Sequence, residues 1–409
     1  MADRIRFADR ADGRYDRQMA IPWWDQAVLA RSRVVVVGAG ALGNELLKLL
    51  VLLGVGRVLV VDFDTVAASN LSRTVLFRDG DVGQPKAALA AARAGAINPD
   101  VAVRAIDGDV GRALGLAALR EADLVLGGVD SVNARWAINR RCRLAGVPWI
   151  DAGISATQGQ VTRYLPDRGA CYECTFTAAT AARFNARFSC TGLTRRLPEA
   201  AVPTTAVVAS LVAALAVDDA VRLLHDPAGG MGLPAGHRLS LLLDARRQFE
   251  DELPIDPACA AHAVPPVPLC RLREGANALT PVSVAAAAGR PGGTVELGFD
   301  LVESFACGAC GAVEPVCRPA ALVFDDEAAC AKCGAERAPA IVSAVSRGSP
   351  AWERSLAALG VADRDLLRVT GEETERWIEL GGTDPWTGLP VAPTGAAGAP
   401  ARPTEGATG

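Results

Sequence analysis

Short apolar runs alternate with longer segments of helical period between residues 33 and 151. Val34–Val37 predicts a buried strand, Asn44–Leu53 a helix closed by Gly54-Val55-Gly56, and Val58–Val61 a second strand. Lys86–Ala96 predicts a helix, Val101–Ile106 and Leu124–Gly127 two strands, Arg135–Leu144 a helix and Val147–Ile150 a strand. Strands separated by helices of this length predict parallel crossover units. Upstream, residues 14 to 30 read as a short amphipathic helical entry containing Trp23 and Trp24.

The pattern changes after Gly159. Gln160–Tyr164 predicts an antiparallel strand, Cys171–Cys174 a tight knuckle, Thr204–Leu224 a long apolar helix and Leu239–Leu243 a further strand. Residues 175–202 form a polar connection whose length marks it as functional or mobile. Residues 350–382 predict a small unit with a helix at Leu356–Leu359 and a strand at Arg376–Leu380. The expected organisation is an N-terminal helical segment (1–32), a main domain (33–265) with the crossover loop 175–202, a linker (266–300), a zinc ribbon (301–340), a small α/β unit (341–386) and a disordered tail (387–409). The fold class is α/β: a Rossmann-like, mostly parallel sheet continuing into antiparallel strands, plus a small zinc-ribbon module.

Composition narrows the class. Half of the residues are hydrophobic and the net charge is −4, which sets nucleic-acid binding aside. The N-terminus has no apolar signal region and no apolar stretch is long enough for a membrane span, so a cytoplasmic location is expected. The eleven cysteines fall mostly in CxxC pairs, pointing to metal rather than disulfides. Lysines occur only at Lys48, Lys86 and Lys332, so a lysine inside a motif carries weight.

Candidate chemistry begins where the first strand runs into Gly38-Ala39-Gly40-Ala41-Leu42-Gly43, a loop that lays phosphates on a helix N-terminus. Asp62 ends the second strand, where its carboxylate can accept both ribose hydroxyls, or cap a turn. A dehydrogenase needs one acidic residue there. This chain continues through Asp64 and Ser69-Asn70-Leu71-Ser72-Arg73, which points to chemistry at phosphates. Asn70, Arg73 and Lys86 form a candidate phosphate clamp that neutralises charge during displacement, although Arg73 alone reads equally as a surface arginine. Asp130, after the strand Leu124–Gly127, suits Mg2+ bridging phosphates or an N-cap for the following helix, and the two readings are compatible.

Cys171 and Cys174 make half of a tetrahedral site. Cys307, Cys310, Cys330 and Cys333 have zinc-ribbon spacing, each knuckle followed by a glycine. This ribbon is read as structural or as a docking platform. Cys142 and Cys317 read as bystanders, and His225 and His237 carry no assigned role.

Taken together, Arg14-Tyr15-Asp16-Arg17-Gln18, the loop with Glu45-Leu46-Leu47-Lys48, the Asp62-to-Arg73 segment, Gly83-x-x-Lys86, Ile97-Asn98-Pro99, Asp130-Ser131 and Arg135-x-x-x-Asn139 resemble the ubiquitin-activating-enzyme superfamily, with its bacterial ThiF/MoeB/HesA adenylyltransferases. The resemblance runs from about residue 14 to 262 and departs from the family at Thr74, usually Gln, and at Ser131, often Asn. It implies that 33–265 is an ATP-binding adenylation domain using ATP and Mg2+. Gly38, Gly40, Ala41, Leu42, Gly43, Asp62, Asp64, Ser69, Asp130 and Ser131 would contact the nucleotide. It implies a substrate: the C-terminal carboxylate of a small β-grasp ubiquitin-like or sulfur-carrier protein. It implies a homodimer, with Arg14, supported by Arg17, reaching the neighbouring subunit's phosphates. It also places a thioester cysteine at Cys190-Thr191, where arginines such as Arg187 and Arg195 would lower the thiol pKa; a spare loop thiol is the alternative. Finally, it supplies the second half of the first Zn2+ site as Cys259-Ala-Ala-His262, with Cys270 as a substitute ligand. The competing function is adenylation of a peptide tail or small carboxylate without a thioester. A noncatalytic scaffold fits less well, since Arg73, Lys86 and Asp130 are intact.

Overall fold

The computed structural model describes residues 13–185, 192–194, 203–262, 269–371 and 375–391. Its first part alternates strand and helix: α1 (Gln26–Arg31), β1 (Arg33–Val37), α2 (Ala41–Leu53), β2 (Arg57–Asp62), α3 (Lys86–Ile97), β3 (Ala102–Asp107), α4 (Val110–Ala113), α5 (Leu116–Leu119), β4 (Leu124–Gly127), α6 (Val132–Ala145) and β5 (Trp149–Ile154). These are followed by β6 (Gln158–Tyr164), α7 (Ala178–Asn185), α8 (Ala206–His225), β7 (His237–Leu242) and β8 (Arg247–Glu252). The eight strands form one sheet in the order β3-β2-β1-β4-β5-β6-β7-β8. It is parallel from β3 to β5 and antiparallel from β5 to β8.

The parallel strands read as unbroken apolar runs because both faces are covered. Val34 and Val36 enter the core built with α2, α3 and α8, while Val35 and Val37 enter the core under α5 and α6. Gly54 ends α2 at φ 77° and Gly146 ends α6 at φ 69°, left-handed positions that suit a glycine C-cap. β8 was not expected from the sequence. All six of its residues are exposed, so Arg-Gln-Phe-Glu-Asp-Glu carries no burial pattern to read.

Residues 269–379 build a second sheet: β9 (Leu269–Arg271), α9 (Pro281–Ala287), β10 (Thr294–Ala306), β11 (Val313–Pro319), β12 (Ala338–Val345), β13 (Leu366–Thr370) and β14 (Glu375–Glu379). Its path is β11-β10-β13-β14-β9, with β12 also paired to β10. The segment expected as a linker thus contains β9, α9 and the start of β10. One strand, β10, joins it to both later segments because it pairs with β11, β12 and β13. The helix expected at Leu356–Leu359 is a run of turns; both leucines are fully buried in the second sheet's core, so they were burial signals rather than helical period.

The two sheets meet along α4, α5 and α6. Asp365 accepts from the Leu116 amide at 2.9 Å and lies 3.3 Å from Arg141, and Arg364 pairs with Glu121 at 2.8 Å. The Trp386 indole donates to the Ala118 carbonyl at 3.0 Å. Gly115 permits this approach, since a Cβ there would lie 2.3 Å from the Asp363 carbonyl oxygen. Among the described residues no helix is long and apolar enough to cross a membrane.

Candidate functional site

The site lies where the strand order reverses, between β1 and β4, at the carboxyl ends of the parallel strands. Gly38 turns the chain out of β1 at φ 93°, and a Cβ on Gly43 would fall 1.8 Å from the Gly38 carbonyl oxygen. Glycine is therefore required for α2 to seat against its own loop. Gly40 caps α2 with no side-chain bond, leaving the first-turn amides for an anion.

Asp62, at the end of β2, accepts from the Ala39 amide at 2.6 Å and the Asp64 amide at 2.7 Å. It braces the glycine loop, and each oxygen keeps lone pairs for a further donor. Burial pushes its carboxyl above the usual 3.8, against the opposing pull of those two amides.

Lys86 is the first residue of α3 and is buried. Its Nζ lies 2.8 Å from Asp64 Oδ2 and its amide donates to the Asp64 carbonyl at 2.9 Å. Asn70 is also buried and accepts from the Ala67 amide at 3.0 Å, shaping the turn that carries Ser69 and Arg73. The Arg73 guanidinium bonds the Ser69 carbonyl and has no carboxylate partner among the described residues. Thr74 is buried and donates to the Asn70 carbonyl at 2.9 Å, so the residue at the family's glutamine position closes the same turn.

Asp130 is exposed and makes no hydrogen bond or ion pair among the described residues. The expected N-cap role falls instead to Ser131, whose hydroxyl accepts from the Ala134 amide at 3.0 Å. Asp130 is thereby left as a lone carboxylate. Behind it, Arg135 grips the buried Asp151 at 2.9 and 3.0 Å and donates to the Val129 carbonyl at 2.6 Å, fixing the β4–α6 turn.

One cleft of about 3060 Å³ gathers these groups. Gly38, Gly40, Ala41, Leu42, Asp62, Asp64, Ser69, Asn70, Arg73, Lys86, Asp130 and Ser131 all line it, with Gly43 packed beneath. Arg14 does not line it. Arg14 bonds the Ile97 carbonyl at 3.4 Å and lies 3.9 Å from Asp100, at the opposite end of the sheet. Cys190, Thr191, Arg187 and Arg195 lie outside the described residues.

Sequence reasoning missed two features of the cleft. Arg112 on α4 lines it, and its Nε is buried without a hydrogen-bond partner among the described residues. The second sheet forms part of its wall through β10, β13 and β14, at Glu296, Arg368 and Trp377. Neither has a local motif; both depend on how the two sheets dock.

Two groups of side chains can hold metal ions. In each, four ligand atoms lie within 4.8 Å of one another: Cys171, Cys174, Cys259 and His262, and Cys307, Cys310, Cys330 and Cys333. Tetrahedral Zn–S bonds of about 2.3 Å put sulfurs about 3.8 Å apart. The observed S···S distances are 3.6 Å for Cys171–Cys259, 3.7 Å for Cys171–Cys174, 3.5 Å for Cys307–Cys333 and 3.8 Å for Cys310–Cys330. Cys174 Sγ lies 3.2 Å from His262 Nε2. Asn139 supports the first group, donating to Cys171 at 3.6 Å and to Glu173 at 3.0 Å. Cys270 lies on β9 against the second sheet's core, apart from both groups.

The ThiF family model matches residues 15–245. A sulfur carrier protein adenylyltransferase from Thermus thermophilus is 36% identical over 250 residues, covering 58% of this chain and 84% of that protein. A SAMP-activating enzyme E1 from Haloferax volcanii is 42% identical over 154 residues; the match covers 38% of this chain and only 57% of that relative. Among solved structures, Escherichia coli MccB crystallised with succinimide aligns with a TM-score of 0.51 at 24% identity, over 61% of this chain and 74% of MccB, a likeness of fold.

Proposed function

Because the chain belongs to the ThiF family, we propose that it is an adenylyltransferase that activates the C-terminal carboxylate of a small ubiquitin-like or sulfur-carrier protein. The observation that carries this reading is the convergence of Arg73, Lys86 and the lone carboxylate of Asp130 on one cleft beside the glycine loop. The similarity to the Thermus sulfur carrier protein adenylyltransferase and the Haloferax SAMP-activating enzyme supports it.

The chemistry follows from the charges. A terminal carboxylate is ionised at pH 7, so it attacks without a general base. Its oxygen forms a bond to the α-phosphorus of ATP as the bond to the bridging oxygen breaks, and pyrophosphate leaves with that electron pair. The first amides of α2 hold phosphate oxygens, Asp62 accepts from the ribose, and Lys86 and Arg73 neutralise the charge that accumulates on the departing group. Asp130, exposed and unpaired beside these phosphates, would hold Mg2+, which supplies further charge neutralisation when bound. Both four-ligand groups fit Zn2+ in donor type and spacing and would hold it as structural ions.

Two finer steps belong to the same proposal. The Cys190 thiolate attacks the acyl-adenylate carbonyl, forming a thioester and releasing AMP. Arg14, remote from its own cleft, serves that of a second subunit in a homodimer. The test is ATP–pyrophosphate exchange in the presence of a β-grasp protein ending in Gly-Gly. Exchange dependent on that protein and lost in Asp130→Ala is expected. Exchange that survives Asp130→Ala removes the metal role, and nucleotide binding without any exchange removes the adenylation reading.

A further inference from the structure

Gly192-Leu193-Thr194 belongs to the crossover segment between α7 and α8, yet it packs on the second sheet. Leu193 is fully buried in a small separate core with Val302, Phe305, Ala320, Val323 and Ala328. Thr194 is fastened on three sides. Its amide donates to the Val323 carbonyl at 3.2 Å, its hydroxyl to the Ala320 carbonyl at 3.0 Å, and its carbonyl accepts from the Asp325 amide at 3.0 Å.

The walls of that core run directly into the four-cysteine group. Phe305 stands two residues before Cys307, and Ala328 two before Cys330. Arg337 ties the two walls together: its amide donates to the Ala328 carbonyl at 2.9 Å, its guanidinium donates to the Glu327 carbonyl at 2.8 Å, and its Cζ sits 4.6 Å from the centre of the Phe305 ring. On the other side of this anchor, Gly192 and Thr194 line the same cleft as Lys86 and Asp130.

We propose that the four-cysteine unit is a metal-dependent anchor for the crossover segment, holding Gly192-Leu193-Thr194 as a fixed part of the cleft wall. An ion bound by all four sulfurs cross-links the two knuckles, whereas metal-free thiols do not, so without metal β10, which bears Phe305, and the 3-10 turn Asp325–Ala328 lose the link that aligns them. The pocket for Leu193 then opens, and with it the three bonds to Thr194. This inference rests on the reading that Cys307, Cys310, Cys330 and Cys333 bind a metal.

The experiment is amide hydrogen exchange on the full chain, as purified and as Cys333→Ser, with metal content measured on the same samples. Cys333 is the exposed ligand of the group, which makes it the least disruptive to replace. Should Cys333→Ser fail to fold, chelation of the wild-type chain supplies the metal-free sample. The expected result is that exchange in 192–194 and at Asp325 speeds up by roughly 30-fold or more, the factor that loss of a buried leucine's packing implies. Exchange within Ala206–His225 stays unchanged. Leu193→Asp, with its metal retained, reproduces the faster exchange at Asp325. Metal bound at the four cysteines with no response in 192–194 overturns this anchor alone. A chain that takes up no metal there overturns both the anchor and the metal reading beneath it.

Discussion

Lys86 is tethered twice to Asp64, by its ammonium at 2.8 Å and by its own amide at 2.9 Å, so the end of β2 and the start of α3 are locked together at the cleft. On the proposed reading, the pair places a cation where phosphates would arrive and holds its rotamer before they do. Lys86→Met should therefore lower ATP–pyrophosphate exchange by about 10²- to 10³-fold, the scale of losing one preorganised charge donor. Asp64→Asn keeps the cation and loses only its tether, so a smaller loss is expected. Steady-state exchange rates on the two variants check the order, and equal losses would make the pair structural.

Asp62 sets a pH dependence whose sign can be worked out. Burial raises its carboxyl above 3.8, so the folded state binds this proton more readily than the unfolded chain. Its contribution to stability is therefore greatest below 3.8 and declines as pH rises through the folded-state value. On the proposed ribose-binding role of Asp62, nucleotide binding runs the other way, because the ribose hydroxyls would need the ionised acceptor. ATP affinity should fall on acidification at a pH above the ordinary aspartate range, and Asp62→Asn should flatten that limb. Titration of ATP binding by calorimetry across this range decides it.

Cys190→Ala would separate the two proposed chemical stages. Adenylation as proposed draws on Lys86, Arg73 and Asp130, so exchange should persist at near wild-type rate in Cys190→Ala. A thiol-sensitive mass adduct of the carrier, expected on the wild-type chain with ATP, should disappear. An adduct that persists on Cys190→Ala assigns the thioester to another residue.

The sequence showed the parallel half of the sheet plainly, because Val34–Val37 and Leu124–Gly127 are buried on both faces and leave unbroken apolar runs. The glycine loop, Asp62 and Lys86 were equally legible, since each sits at a strand or helix end that its neighbours define. β8 was silent because it is an exposed edge. The second sheet was fragmented into linker, ribbon and small unit because β10, thirteen residues long, pairs with partners as distant as Thr370 is from Thr294, and no local period records that. Arg112 and the Leu193 anchor share this origin. Their surroundings come from the docking of two sheets, and the family match ends at residue 245, before β9 begins.

Metal analysis should give two zinc ions per chain, and the two sites should differ in what their loss costs. The first joins Cys171 to Cys259 across 88 residues, whereas the second joins Cys310 to Cys330 across 20. A cross-link restricts the unfolded chain more when it closes a longer loop, and the logarithmic dependence makes the first site worth roughly 1 kcal/mol more than the second. Cys259→Ser and Cys310→Ser should each reduce the zinc count to one. In denaturant unfolding, Cys259→Ser should be the more destabilised of the two. A wild-type count of one, unchanged in Cys259→Ser, would mean that Cys171, Cys174, Cys259 and His262 meet as thiols and imidazole alone.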